Sequence, residues 1–162
     1  LVPVLESNRD CFSQSLAIIE FPEEMKPEPP LLPKNMVERA QVRCFAQQIS
    51  MEIHPLNNLR VLNYLENELG LNEDKKTSWY QHWISEGFNS LEKILKNNDC
   101  GAKFCFGETP SLADACLIPQ VYNAKRFHCN LSKYPIIESI WNHCISLDTF
   151  KRAAPESQPD AQ

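Results

Sequence analysis

The chain has 162 residues, of which 43% are hydrophobic and 9% aromatic, and this composition excludes a chain that is disordered over most of its length. The formal net charge is −5 and the Lys and Arg residues are scattered, which argues against nucleic-acid binding. No apolar run approaches the roughly 20 residues that a membrane-spanning helix needs.

The N-terminal segment, residues 1–26, is predicted to form two short strands followed by a helix. Val2 to Leu5 is an apolar run typical of a strand, and Ser7 to Asp10 has the composition of a turn. Ser13 and Ser15 are candidate N-caps for a helix over Leu16 to Phe21.

A proline-rich connector is predicted after this helix. Pro22 should end or kink the helix because it has no backbone N–H and its ring crowds the preceding turn. Residues 27–34 then contain four prolines within seven positions, which favours a stiff, extended linker.

Residues 35–154 are predicted to form an all-helical domain of five or so helices. Pro55 should bend the first helix near Met51 and Glu52. Gly87 lies within the second helix, where it lowers helix propensity, so we expect it to permit a close contact between helices. Apolar residues recur at helical spacing in two stripes: Val42, Phe45, Ala46, Ile49, Ile53 and Leu56, and then Ile84, Phe88, Leu91 and Leu95, with Trp79 and Trp83 on the second helix.

A third helix, within Thr109 to Phe127, is apolar on nearly all sides and is therefore predicted to be central and buried. Asp114 lies near its start, where an unsatisfied carboxylate would cost several kcal/mol. The spacing of Ser111 and Asp114 matches a capping box, in which each side chain pairs with the backbone N–H of the other residue. We therefore expect a structural carboxylate there. A catalytic carboxylate is the alternative.

Two helices are predicted at the end of the domain, over Pro135 to Leu147 and around Asp148 to Ala153, before a loose polar tail at 155–162. The seven cysteines, most of them in helical patterns, predict a cytoplasmic protein with free thiols. No Cys-x-x-Cys occurs, and the adjacent His-Cys pairs fit no zinc spacing, so no metal is expected. The N-terminus is too short and too acidic for a secretory signal, and without an initiator Met the chain is expected to belong to something longer.

Several sequence segments together resemble the zeta class of glutathione transferases, the maleylacetoacetate isomerases. The segment TPSLAD is typical of glutathione transferases in general, and the zeta-class resemblance rests on PLNNLRVL, PQVYNAKRF and QPDA. The resemblance covers the whole chain through VPVL, QSLAIIE, PEPPLLP, HWISEGFNSLE and YPIIESI. It implies a mainly α fold: a glutathione transferase C-terminal helical bundle, preceded by a truncated β-β-α remnant of the thioredoxin-like domain.

The resemblance also implies an activity and a cofactor. Members of this family use glutathione to isomerise a dianionic diketo acid from tyrosine and phenylalanine breakdown: the thiolate adds, the bond rotates and the thiolate leaves. By this resemblance, Val2 pairs through its backbone with the cysteinyl unit of glutathione, ahead of a cis bond to Pro3. Gln14 and Ser15 match residues that hold the γ-glutamyl carboxylate. Without the resemblance, Pro3 reads as a trans proline in an edge strand and Ser15 as an N-cap.

The substrate side is expected in the helical domain. His54 stands where many relatives have Gln, and Asn58 follows at i+4, so both are predicted on one helix face, able to bind glutathione or substrate. The alternative is that His54 only flanks the bend at Pro55. Arg126 matches an arginine proposed to hold a substrate carboxylate, and the alternative is a surface arginine near a helix C-terminus.

The family's activating Ser-Ser-Cys-like motif has no counterpart in these residues, so no catalytic residue of the family is expected to be retained. The chain is then a partial sequence, a splice form or a decayed copy, and a homodimer is expected only with a full N-terminal domain. Two other functions stay open: a non-catalytic helical module for dimerisation or binding, and a related glutathione transferase such as a maleylpyruvate isomerase.

Overall fold

The computed structural model describes residues 3–98, 103–159 and 161. The predicted N-terminal strands form a two-stranded antiparallel hairpin of β1 (Val4–Ser7) and β2 (Asp10–Ser13), in which Ser7 pairs with Asp10. The turn is two residues long, and Asn8 adopts a positive φ of 58°, a conformation that Asn tolerates.

Helix α1 (Ser15–Met25) differs from the prediction at both ends. Its N-cap is Gln14 rather than Ser13 or Ser15, and no side chain caps it. The helix also continues through Pro22, because the proline removes one hydrogen bond while the Lys26 N–H still donates to the Pro22 carbonyl at 2.8 Å. The predicted end at Pro22 was therefore wrong.

Residues 26–34 connect the hairpin and α1 to the helical bundle. The Glu23 carboxylate accepts the N–H groups of Leu31 and Leu32 at 2.9 and 3.1 Å, and Leu32 is buried. The Leu31 carbonyl in turn accepts the N–H of Leu112 at 2.9 Å. The connector is thus bound on both sides by the elements it joins.

The bundle consists of six helices within the described residues: α2 (Met36–Gln47), α3 (Leu59–Asn67), α4 (Glu73–Asn97), α5 (Leu112–Arg126), α6 (Pro135–Ser146) and α7 (Asp148–Ala153). The predicted bend is present as a π-helical turn (Gln48–Ile53) and a 3₁₀ turn (His54–Asn57) between α2 and α3. The sequence patterns did not predict α3 as a helix of its own.

Both predicted apolar stripes supply the core, which surrounds α5. Phe45 of α2, Phe88 of α4 and Leu117 of α5 are each at most 1% exposed. Helix α6 is fixed by a carboxylate from another helix, because Glu92 accepts the N–H groups of Ile136 and Ile137 at 2.8 and 3.0 Å. The fold is mainly α, as predicted. None of the helices described is long and apolar enough to cross a membrane.

The C-terminal segment was predicted to be loose, and the structure shows residues 155–158 of it to be hydrogen-bonded. Residues Pro155–Ser157 form a 3₁₀ turn after α7. The Gln158 side-chain amide donates to the carbonyls of Arg152 and Ala154 at 2.9 and 3.0 Å. Side-chain bonds to the end of α7 were not visible in a polar composition alone.

Candidate functional site

The predicted capping box is present at the start of α5. Asp114 is fully buried, and its Oδ2 accepts both the Ser111 N–H at 2.8 Å and the Ser111 hydroxyl at 2.7 Å. Its Oδ1 accepts the Cys105 N–H at 2.8 Å, a partner that the local motif did not predict. Asp114 is therefore committed to backbone groups, which favours the structural role over the catalytic one.

The N-terminus of α1 presents backbone donors that no side chain caps. Gln14 is exposed and adopts a positive φ of 77°, a strained conformation for a residue other than glycine. Ser15 is exposed as the first residue of the helix. Uncapped N–H groups and the positive end of the helix dipole attract an anion, so this helix end can accept a carboxylate.

The remaining predicted residues of the glutathione side lie at the beginning of the chain. Pro3 is exposed and immediately precedes β1. Val2 lies outside the described residues, and so does the predicted cis bond between Val2 and Pro3. The one cis peptide bond found within the described part of the chain joins Glu28 and Pro29.

His54 and Asn58 do not share a helix face, so that prediction was wrong. His54 is exposed at the start of the 3₁₀ turn, whereas Asn58 is the N-cap of α3 and its side chain accepts the Arg60 N–H at 3.1 Å. The reason is Pro55, which provides no N–H and lies within a tighter 3₁₀ turn instead of a continuous α-helix.

Arg126 is the last residue of α5 and is exposed. Two residues of α4 hold this helix end in place. The Gln81 side-chain amide donates to the Phe127 carbonyl at 2.9 Å, and the Tyr80 ring stacks on the Phe127 ring with centroids 3.7 Å apart. The guanidinium is thus placed at a rigid helix end and is exposed to solvent, where it can bind a carboxylate.

Tyr122 precedes Arg126 by one helical turn and was missed by sequence reading. Its hydroxyl donates to Glu156 Oε1 at 2.6 Å. This hydrogen bond is the main cause that raises the pKa of Tyr122 and lowers the pKa of Glu156. The i, i+4 spacing of Tyr122 and Arg126 could have indicated that they are neighbours, but no local pattern pointed to Glu156.

Three thiols of the chain, one buried and two half-buried, are poor nucleophiles. Burial raises the pKa of Cys116 and of Cys129 to about 11, and that of Cys144 to about 12. These thiols stay protonated at neutral pH, and a protonated thiol is a weak nucleophile. No cluster of metal-ligating side chains occurs among the described residues.

The structure brings some predicted site residues together and leaves others apart. Ser111 and Asp114 are in contact, and Gln14 and Ser15 adjoin at one helix end. Within the described ranges, no hydrogen bond or ion pair joins the N-terminus of α1 to His54, Asn58 or Arg126. A cavity of about 420 Å³ lies between the connector and the loop before α5, beside Leu32, Val42 and Ser111.

Comparison with known proteins identifies close relatives over the whole chain, although no family model matches it. The chain is 47% identical over 161 residues to a probable maleylacetoacetate isomerase of Vibrio cholerae, covering 99% of this chain and 74% of that protein. It superimposes with a TM-score of 0.97 on a bacterial maleylpyruvate isomerase described as a zeta-class glutathione transferase, at 42% identity, covering 100% of this chain and 76% of that one.

A second solved structure carries ligands. It is the maleylacetoacetate isomerase of Anaeromyxobacter dehalogenans with dicarboxyethyl glutathione and citrate bound in its active site. The TM-score is 0.92 at 36% identity, with 100% of this chain and 73% of that chain covered. The sequence match and the structural superposition both extend over nearly the whole chain, and the chain therefore belongs to the zeta-class glutathione transferase family of maleylacetoacetate and maleylpyruvate isomerases.

Proposed function

We propose that this protein takes part in the glutathione-dependent cis–trans isomerisation of maleylacetoacetate to fumarylacetoacetate, a step in tyrosine and phenylalanine catabolism. The observation that carries the proposal is its likeness, over nearly the whole chain, to a probable maleylacetoacetate isomerase. The alternative of a maleylpyruvate isomerase is kept because a relative of that name superimposes along the whole chain.

The proposed cofactor is glutathione, and the N-terminus of α1 fits its γ-glutamyl carboxylate. Gln14 and Ser15 provide backbone donors at an uncapped helix start, where a carboxylate is stabilised by the helix dipole. Val2 and Pro3 are proposed to lie along the cysteinyl unit. When bound, glutathione supplies the thiolate for reversible addition to the double bond, which the protonated buried thiols of this chain do not provide.

The proposed substrate side is the end of α5. Arg126 would hold one carboxylate of a small dicarboxylate substrate, and its guanidinium geometry suits that bidentate task. His54 is exposed and free to contact glutathione or substrate, whereas Asn58 would first have to release the Arg60 N–H. We therefore assign His54 the contact and Asn58 the role of orienting α3.

The proposed organisation follows the family. Residues 1–26 would belong to a thioredoxin-like glutathione-binding domain, 27–34 to the linker, 35–154 to the helical domain and 155–162 to the tail. A homodimer is proposed for the protein with its complete thioredoxin-like domain, and the exposed apolar residues Met36, Val37 and Leu59 offer contact surface. A cytoplasmic location is proposed from the free thiols at Cys11 and Cys44.

The test compares two proteins: the 162-residue chain and a fusion that carries a zeta-class thioredoxin-like segment ahead of Leu1. Each is assayed for retention on glutathione-agarose and for isomerisation of maleylacetoacetate and of maleylpyruvate, with and without glutathione. Glutathione-dependent turnover of maleylacetoacetate by the fusion is the expected result. Faster turnover of maleylpyruvate would favour the alternative substrate. A folded fusion that turns over neither compound would refute the enzymatic proposal and favour a non-catalytic helical module.

A further inference from the structure

The C-terminal segment folds back onto the face of α5 that carries Arg126. Tyr122 and Arg126 are separated by four residues on this helix, so their side chains are neighbours on one face. The Tyr122 hydroxyl donates to the Glu156 carboxylate at 2.6 Å, a length typical of a hydrogen bond to a charged acceptor. Glu156 is therefore attached to the helical turn that precedes Arg126.

The segment around Glu156 is ordered by bonds to the end of α7. The Ser157 hydroxyl donates to the Lys151 carbonyl at 2.8 Å, and the Gln158 amide donates to the carbonyls of Arg152 and Ala154. These partners lie four to six residues away in sequence, so they shape the segment locally. The bond between Glu156 and Tyr122 spans 34 residues and attaches the segment to α5.

This attachment is easily broken. Glu156 is exposed and the bond is accessible to water, and exposed charged contacts contribute little net stability because water and salt compete for them. A substrate carboxylate on Arg126 would add a second negative charge next to Glu156, and like charges at short range repel each other. The same hydroxyl could also donate to the arriving carboxylate.

We propose that residues 155–158 form a displaceable strap over the substrate side of the site, and that Glu156 and a small dicarboxylate compete for the face of α5 formed by Tyr122 and Arg126. The inference rests on the proposed function, because it takes Arg126 as the residue that holds the substrate carboxylate. It assigns Tyr122 as a further substrate-positioning residue, whose hydroxyl becomes free to contact the substrate when Glu156 and the strap move away.

The first experiment measures release of the strap on the full chain, without any assay of activity. Glutamyl endopeptidase should cleave after Glu156 faster when this segment leaves α5, because the protease binds an extended, free segment, and mass spectrometry follows the product. Tyr122→Phe removes the attaching hydroxyl and should accelerate this cleavage several-fold, with cleavage after the exposed Glu108 as the internal control. Equal cleavage rates after Glu156 in the variant and the wild type would overturn the strap.

The second experiment tests competition, with maleate as the dicarboxylate probe. Maleate should accelerate cleavage after Glu156 in the wild type and should have no effect in Arg126→Gln. In calorimetry, Glu156→Gln should bind maleate about three- to tenfold more tightly, because a neighbouring charge is removed.

The outcomes separate the two proposals. If maleate binds in an Arg126-dependent way but neither cleavage nor the affinity of Glu156→Gln changes, the strap is refuted and the substrate assignment stands. If wild type and Glu156→Gln both fail to bind maleate, two claims are refuted: that Arg126 binds a substrate carboxylate, and that Glu156 competes with that carboxylate. Faster cleavage in Tyr122→Phe would then still show that the hydroxyl attaches the tail.

Discussion

Gly87 of α4 packs directly against Ile53, the last residue of the π-helical turn. A Cβ atom added at Gly87 would overlap the Ile53 Cδ1 and Cγ1 atoms, and Ile53 is buried, so its side chain has little room to move. The glycine predicted to permit a close helix contact does so at the point where the chain bends before His54.

Gly87→Ala should therefore destabilise the protein by about 1–3 kcal/mol, as overpacking a filled core does, although alanine has the higher helix propensity. Urea unfolding measures the change in the free energy of unfolding. Ser90→Ala on an exposed position of α4 is the matched control and should be nearly neutral. In Ile53→Ala the methyl group has space, so the further loss caused by Gly87→Ala should shrink, and strict additivity of the two changes would contradict the contact.

Asp114→Ala should be among the most destabilising single substitutions in the bundle. It removes the acceptor of two buried backbone N–H groups, those of Cys105 and Ser111, and each lost bond of this kind costs about 1–3 kcal/mol. Ser111→Ala removes only the hydroxyl and should cost about 1 kcal/mol. Chemical denaturation of the two variants checks this order, and a Ser111→Ala loss as large as that of Asp114→Ala would count against it.

Arg126→Lys in the glutathione-binding fusion should raise KM for the dicarboxylate by roughly tenfold, the equivalent of about 1.4 kcal/mol, because a lysine cannot form the bidentate pair. Retention on glutathione-agarose should stay unchanged. The neighbouring Lys125 lies over the Trp141 ring at 5.7 Å, so Lys125→Gln serves as the charge control and should leave KM within about twofold. Equal effects at both positions would show a diffuse charge effect instead of a carboxylate site.

Stability should fall as the pH rises above about 9. Burial raises the pKa of the cysteine thiols from 9.0 to about 12 at Cys144 and to about 11 at Cys116 and Cys129. It also raises the pKa of Tyr80 from 10.0 to about 12. The unfolded chain therefore loses these protons first, so the stabilisation is complete below the unfolded pKa and is lost on the way to the folded pKa.

Urea midpoints measured from pH 7 to 10.5 in the presence of a reductant provide the test. Cys144→Ala should flatten the decline, since it removes one of the shifted groups, whereas replacement of the exposed Cys11 should leave it unchanged. A midpoint that is constant up to pH 10.5 would show that these thiols ionise equally in both states.

Local patterns were sufficient for the parts of this fold that depend on neighbours in sequence. The capping box of Ser111 and Asp114 is set within four residues, and the structure confirms it. A glycine inside a helical pattern likewise predicted a close helix contact at Gly87, although the pattern did not identify Ile53, 34 residues away, as the partner. The apolar stripes likewise identified the core, because helical periodicity determines which side chains share a face.

Contacts between distant segments could not be read in this way. Glu156 binds Tyr122 across 34 residues, and Glu92 holds the start of α6 across more than 40. Asn58 was misplaced for a different reason: the i+4 rule assumes an uninterrupted α-helix, and Pro55 breaks that assumption. The role of Arg126 rests on family resemblance, since an exposed arginine at a helix end has no distinctive local signal.

The π-helical turn at Gln48–Ile53 sets the angular offset between α2 and everything that follows it. A π turn accommodates an extra residue relative to an α turn, and one residue corresponds to a rotation of about 100° around the helix axis. A chain shortened by one residue here could close into regular α-helix, but Ile53 would then swing away from Gly87 and carry His54 to another side of the bundle. The number of residues between Phe45 and Pro55 is thus a stricter requirement than their identity, and this segment should tolerate substitution better than deletion.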